Sequence, residues 1–308
     1  MKTNSSISQI RRAFFWGVGG GGGLFIIRSP SFFIFWVGIE IIFAAIMYII
    51  VLREDSPSYI LQYFLVQAAL SGLILIRVAG AAQYYATAFM FIVKLGAAPF
   101  HFWLIPILSS SSWGAIIIFS TILKLPRFLF LGGGLPLHAG WLRVFAVIFG
   151  VGGLRTLKIK PILAYLGLYS NAWLLIRLRA PALFLKFFLL YAVILVTVCL
   201  AAESRSVSTL TFKSASFFQG RTLTVILILI FAGFPPSSLF FIKVGVIMID
   251  LVSLPTAIVL LTGGGWIFLS YLSIITPILL RASFSWGHSF FPPRVLLGVL
   301  LSFLPLIT

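Results

Sequence analysis

Phe91-Ile92-Val93-Lys94-Leu95-Gly96-Ala97-Ala98-Pro99-Phe100-His101-Phe102-Trp103 decides what kind of molecule this is. A lysine stands inside an apolar helical run, and two residues later the run meets a glycine and then a proline. A soluble protein keeps such a lysine at the surface. The flanks offer no polar face for it. Of the 308 residues, 61% are hydrophobic and 9% charged, and mean hydropathy is +1.17. An ordinary soluble domain is roughly 45–50% apolar and about 25% charged. The composition excludes a soluble globular enzyme, a disordered tail and a nucleic-acid-binding module. It describes an all-α polytopic membrane protein.

One span needs about 20 apolar residues, so about eleven spans use roughly 220 and leave short loops. Apolar runs bounded by charge, Pro or Ser place helices at about 12–27, 31–52, 58–79, 82–108, 113–131, 134–154, 162–178, 180–202, 222–252, 255–280 and 292–307. The first is weak and holds the run Gly19–Gly23. No strand precedes that run and no Gly-Lys-Ser/Thr follows it, so it reads as close helix packing or local sequence drift rather than a phosphate loop. The longest polar stretch, about 203–220, is a loop or amphipathic surface segment.

Lys plus Arg number 22 and Asp plus Glu 5, a net charge of +17. Most of the basic residues, Arg127 and Arg177 among them, read as loop charge that orients helices and meets anionic lipid headgroups. The larger share falls in loops on the side of the N-terminus, which puts that end inside. The N-terminal segment, with Lys2, Arg11 and Arg12 and no acid, faintly resembles a transit peptide but reads better as a flank of the first helix. The single cysteine, Cys199, permits neither an intramolecular disulfide nor a multi-cysteine metal or iron–sulfur site. No clustered His/Cys spacing marks a metal, and no nucleophile–base pair is visible.

Four charges sit where charge is expensive: Glu40, Lys94, Lys124 and Lys243, each inside an apolar run. At the bilayer centre a charge costs at least about 2.5–3.5 kcal/mol. Buried ion pairs that fix packing would explain one lysine, but one acid cannot neutralise three. An unpaired lysine can serve as a neutral proton acceptor, and neighbouring groups of this kind titrate together. These residues therefore form a candidate proton path. Two helix breaks accompany them, at Gly96 and Pro99 beside Lys94, and at Gly233, Pro235 and Pro236 about two turns before Lys243. Broken helices expose backbone groups that mark ion sites in transporters, often at matched positions of inverted repeats. The breaks are five helices apart. They divide a single transmembrane domain, 1–308, into repeat one at about 12–131, repeat two at about 134–280, and a C-terminal helix. His101, two turns beyond Lys94, is a candidate relay. His138 and His288 look interfacial.

The segment from Lys94 to Trp103 resembles the signature of the NADH–ubiquinone oxidoreductase chain 2 family, a proton-pumping membrane subunit of mitochondrial complex I similar to Mrp-type antiporter subunits. Trp36-Val37-Gly38-Ile39-Glu40 resembles the family's glutamate helix. Gly152-Gly153-Leu154 with Ala164-Tyr165 resembles its loop and following helix. Gly233-Phe234-Pro235-Pro236 with Lys243 resembles its second broken helix. The resemblance covers about residues 30–250. It implies an antiporter-like fold of about eleven helices in which Glu40 pairs with Lys94, Lys124 is the central relay and Lys243 the terminal donor or acceptor. It also implies chain 4 and chain 4L of complex I as neighbours in the mitochondrial inner membrane, no cofactor in this chain, and FMN and iron–sulfur clusters in partner subunits; with that membrane, the inside that loop charge assigns to the N-terminus is the matrix side. The chain departs from the pattern at four places. Ile122-Leu123 replaces Trp-Gln before the central lysine, and Ser170 replaces a histidine. Pro106-Ile107 lacks the expected acid, and Leu239 replaces a glycine.

A free-standing cation/proton antiporter would share the broken helices and is the alternative function. A purely structural membrane anchor would leave the buried lysines unexplained.

Overall fold

A computed structural model describes residues 26, 31–51, 57–79, 84–97, 100–132, 158–178, 180–204, 226–235, 237–249, 258, 260–265 and 269. The regular elements are α-helices: α1 (Phe32–Val51), α2 (Pro57–Ala79), α3 (Tyr84–Lys94), α4 (Leu104–Ser110), α5 (Trp113–Ser120), α6 (Lys124–Gly132), α7 (Ile159–Arg177), α8 (Pro181–Ser204) and α9 (Ser238–Ile249). Residues 226–232 and 260–265 are also helical. The expected helices at 134–154 and 292–307, almost all of 12–27, the 203–220 loop, His138 and His288 lie outside the described residues. By length and composition Ser58–Arg77, Trp113–Gly132, Ile159–Arg177 and Pro181–Glu203 are each able to cross a membrane.

The chain divides into two compact units, residues 1–95 with 110–133, and residues 96–109 with 134–308. In the first, α1 packs on α2, α2 on α3, and α3 on α6. The buried stripe of α2 explains its place. Ile60, Tyr63, Gln67, Ser71 and Ile74 recur every three or four residues and are all buried, whereas Leu61, Phe64, Leu65, Leu73 and Ile76 are exposed. Gln67 and Ser71 lie on the buried stripe with Tyr63, while the opposite face presents large apolar side chains, as a span in hydrocarbon does. Aromatic rings tie the neighbours: Phe91 of α3 meets Phe130 of α6 at 4.4 Å between centroids, and Phe32 of α1 meets Phe130 at 5.1 Å.

In the second unit α7 is the central helix, buried along most of its length, and packs on α8, which packs on α9. The inner face of α8 recurs at helical spacing, with Phe184, Phe187, Phe188, Tyr191, Ile194, Leu195, Val198 and Cys199 all buried.

Three expectations are corrected. The helix expected at about 113–131 is interrupted by turn residues 121–123, between α5 and α6. Pro126 explains the interruption, because its ring lacks an N–H and clashes with the carbonyl four residues earlier, that of Ile122. The backbone compensates with irregular bonds, Leu123 N to Ile118 O at 3.3 Å and Lys124 N to Thr121 O at 3.1 Å. Arg127, assigned to a loop from the sequence, is buried in α6, and Arg177 is buried in the last turn of α7.

Candidate functional site

The first unit brings Glu40 and Lys94 together at Ser71 of α2, and holds Lys124 on α6. Lys94, the last residue of α3, is only 2% exposed. Its Nζ donates to Glu40 Oε1 of α1 at 3.1 Å and to Ser71 Oγ of α2. The Ser71 hydroxyl lies 2.6 Å from Glu40 Oε1 and 2.8 Å from the carbonyl oxygen of Gln67, and donates to one or the other. The ammonium is thus held by a carboxylate and a hydroxyl away from solvent. The Glu40 side chain keeps 24% exposure, so the pair is buried from the lysine's side only.

α3 ends at Lys94 because Gly96 takes a left-handed conformation, φ +69°. A Cβ there would stand 2.9 Å from Leu104 Cδ2. The left-handed turn frees the last carbonyls of α3, as helix C-termini do. One of them, that of Lys94, accepts from Arg127 Nη1 of α6. Arg127 Nη2 donates to Gln67 Oε1 at 3.1 Å, and the Tyr63 hydroxyl lies beside the same guanidinium. Lys124 opens α6 immediately after the 121–123 break and is buried at 4% exposure.

The second unit holds Lys243 on α9. Helical residues 226–232 stop at Gly233, whose φ is +82°, and α9 begins at Ser238. Lys243 reaches back across that break and donates to the freed carbonyl of Ala232 at 2.6 Å. Its Nζ lies 5.0 Å from the centroid of the Tyr169 ring and 5.7 Å from that of Trp173, both on α7. A carbonyl and two aromatic faces hold the cation, a cation–π arrangement that strengthens when water is excluded. These groups line a cavity of about 230 Å³ together with Phe240, Leu260 and Gly264. Tyr169 is fixed by donating to the Leu260 carbonyl at 2.9 Å.

Of the expected break residues, Gly96 and Gly233 hold the left-handed positions and Pro235 lies in the turn; Pro99 and Pro236 are outside the described residues. His101 lies in the second unit at the turn before α4, its carbonyl accepting from Leu104 N at 3.1 Å. Ser170, in place of the family histidine, bonds back to the Leu166 carbonyl at 2.9 Å. Sequence reading missed Gln67, Ser71, Arg127, Tyr169 and Trp173. Two signals were available: Gln67 and Ser71 stand four residues apart in an apolar span, and Arg127 follows Lys124 by one turn. Among the described residues no group of three His, Cys, Asp or Glu side chains is placed to hold a metal.

Comparisons with known proteins extend this picture. No family model matches. The NADH-ubiquinone oxidoreductase chain 2 of Artemia franciscana is 27% identical over 221 residues, 71% of this chain and 74% of that one. The protein of the same name from Artemia salina is 34% identical over 96 residues, 30% of this chain and 68% of that one. Among solved structures, a chain of respiratory complex I from Thermus thermophilus with bound aureothin aligns with a TM-score of 0.74 at 18% identity, covering 94% of this chain and 76% of that one. A chain of the Mrp complex from Dietzia aligns at 0.70 and 17% identity, covering 90% and 62%. Fold and site together define an antiporter-like, all-helical membrane subunit with lysines buried beside broken helices. Within that class, the chain belongs to the NADH-ubiquinone oxidoreductase chain 2 family.

Proposed function

We propose that this chain takes part in proton translocation as a core membrane subunit of respiratory complex I, coupled to NADH:ubiquinone electron transfer carried out in partner subunits. The observation that carries the mechanism is the buried cluster of Lys94, Glu40 and Ser71, because a titratable amine held between a carboxylate and a hydroxyl can take up and release a proton without leaving the protein interior.

In this reading Lys94 and Lys124 exchange protons within the first unit, and Lys243 does so in the second. Protonated, Lys94 is satisfied by Glu40 and Ser71. Deprotonated, its amine still accepts from the Ser71 hydroxyl, so neither state leaves a buried group without a partner. The partly exposed face of Glu40 is the point through which charge outside this chain acts on the pair. Lys243 is stabilised as a cation by the Ala232 carbonyl and the rings of Tyr169 and Trp173, and its cavity has room for several waters, each occupying about 30 Å³. His101 remains a candidate relay, and segments 12–131 and 134–280 candidate inverted repeats. FMN and iron–sulfur clusters belong to partner subunits: a cluster takes several thiolates and this chain has one cysteine. Neighbours of this chain are other complex I subunits, with chain 4 and chain 4L the expected ones. The chain is a multi-pass membrane protein, and the reading places it in the mitochondrial inner membrane with its N-terminus on the matrix side.

The likeness to a chain of an Mrp complex supports a second reading, a free-standing cation/proton antiporter. Replacing Lys94 with methionine separates them. A complex I subunit comigrates with a large NADH-oxidising assembly and Lys94→Met lowers protons moved per NADH oxidised. A free antiporter purifies apart from any such activity and loses cation/proton exchange instead.

A further inference from the structure

Arg127 is a buried charge that the lysine–glutamate path does not use. It is 4% exposed and stands on α6, one turn after Lys124. Its guanidinium spans two neighbouring helices, bonding the freed C-terminal carbonyl of α3 at Lys94 and the Gln67 side chain on α2. Beside it stand Lys94 on α3, Tyr63 and Gln67 on α2, and Lys124 one turn earlier on its own helix, while Glu40 of α1 meets Lys94 and Ser71. The carboxylate of that cluster, Glu40, is taken by Lys94. Arg127 is thus held by neutral acceptors. Unlike a lysine it cannot discharge itself by giving up its proton.

We infer that Arg127 is a fixed positive charge near both Lys94 and Lys124, a positioning residue that keeps both lysines from holding protons at once and so makes their occupancy alternate. The inference rests on the proton-transfer reading above.

Two features carry it. Charges within the protein interior interact far more strongly than in water, and the Arg127 guanidinium bonds the Lys94 carbonyl and stands on the same helix one turn after Lys124. Loading a proton onto one lysine then adds to a repulsion that the guanidinium already exerts on the other, and the second proton is disfavoured. The same guanidinium grips the Lys94 carbonyl, so the end of α3 and the start of α6 are joined through it. A residue serving only to cap α3 would need a donor but no permanent charge.

The test separates charge from hydrogen bonding in the assembled complex. Gln67→Glu keeps an acceptor for Nη2 and adds a carboxylate that neutralises Arg127. Arg127→Gln removes the charge, and Arg127→Lys keeps it. Complexes are purified, assembly is checked by native gel, and protons translocated per NADH oxidised are measured in vesicles, with Lys94→Met as reference. The inference expects Gln67→Glu and Arg127→Gln to assemble, to oxidise NADH at near-normal rates, and to lose half or more of their proton stoichiometry, while Arg127→Lys retains most of it. Full stoichiometry in assembled Gln67→Glu overturns it and leaves Arg127 a structural cap. Failure of Arg127→Gln to assemble while Gln67→Glu is fully coupled overturns it in the same way. If Lys94→Met is itself fully coupled, it is the underlying proton-transfer reading that falls.

Discussion

At Lys94 the protein holds an ammonium in an apolar interior by giving it one carboxylate and one hydroxyl from two other helices. Taking away one partner of such a pair costs about 3–5 kcal/mol when the other stays charged. Glu40→Gln keeps an oxygen for the Ser71 hydroxyl but removes the charge. The expected outcome is an assembled complex whose proton translocation per NADH falls several-fold. Loss of assembly would make the pair a packing device, and unchanged coupling would make it irrelevant. Lys243 poses a different question, because a carbonyl and two rings hold it. Methionine at this position keeps length and removes the amine. Arginine keeps the charge but does not readily release a proton. If Lys243 exchanges protons, Lys243→Met and Lys243→Arg both lower coupling. Normal stoichiometry in assembled Lys243→Arg would show that only fixed charge is needed there. These residues were visible in the sequence because each is a charge with no polar neighbour to share a solvated face. Their partners were less visible. Ser71 and Gln67 are ordinary in a span of mixed polarity until α2 is known to bury the stripe they share with Tyr63, and a carbonyl partner such as that of Ala232 leaves no trace in residue identity.

The three interrupted helices show how differently a break can be written. Gly96 and Gly233 announce theirs, since a left-handed residue ends a helix and glycine takes that conformation without strain. The break at 121–123 was overlooked because no glycine stands in it; its cause, Pro126, lies inside the following helix and acts on a carbonyl four residues back. Arg127 was misread for a related reason. Between two apolar runs an arginine looks like a loop residue, and the acceptor that draws it inward is a backbone carbonyl freed by a different helix's break. Gly233 supports a test at this scale. A Cβ there would stand 2.8 Å from Lys243 Nζ, at a φ that costs a non-glycine residue roughly 1–2 kcal/mol. The amine is the mobile end of a flexible chain and would move, giving up a charge-assisted bond to Ala232 of about 1.5–3 kcal/mol. Gly233→Ala is expected to lower coupling nearly as far as Lys243→Met while shortening the heat-inactivation half-life of the complex. If Gly233→Ala is as active and as heat-stable as the parent, the carbonyl of Ala232 is not what holds Lys243.

Charge and surface act at the scale of the whole molecule. The chain carries 22 basic residues against 5 acidic ones. Glu40 is already engaged by Lys94, and basic residues outnumber acidic ones by 17 within the chain. Anionic lipid headgroups offer about 1 kcal/mol for each Lys or Arg near the membrane surface, and acidic loops of neighbouring subunits serve the same end. The outward residues of α2, Leu61, Phe64, Leu65, Leu73 and Ile76, and of α8, Leu185 and Leu189, offer apolar surface to lipid or to another subunit. Membership of the chain 2 family makes other complex I subunits those neighbours. The chain released from its assembly into neutral detergent therefore loses both its counter-charges and the cover of its apolar sides. It is expected to aggregate or to stay inactive in proton transfer, and to be recovered in coupled form only within an assembly that oxidises NADH. Size-exclusion chromatography of the released chain, followed by reconstitution into vesicles containing cardiolipin and a pH-sensitive dye, measures both properties. A monodisperse single chain that exchanges cations for protons in those vesicles would overturn the subunit reading and establish a self-sufficient antiporter in its place.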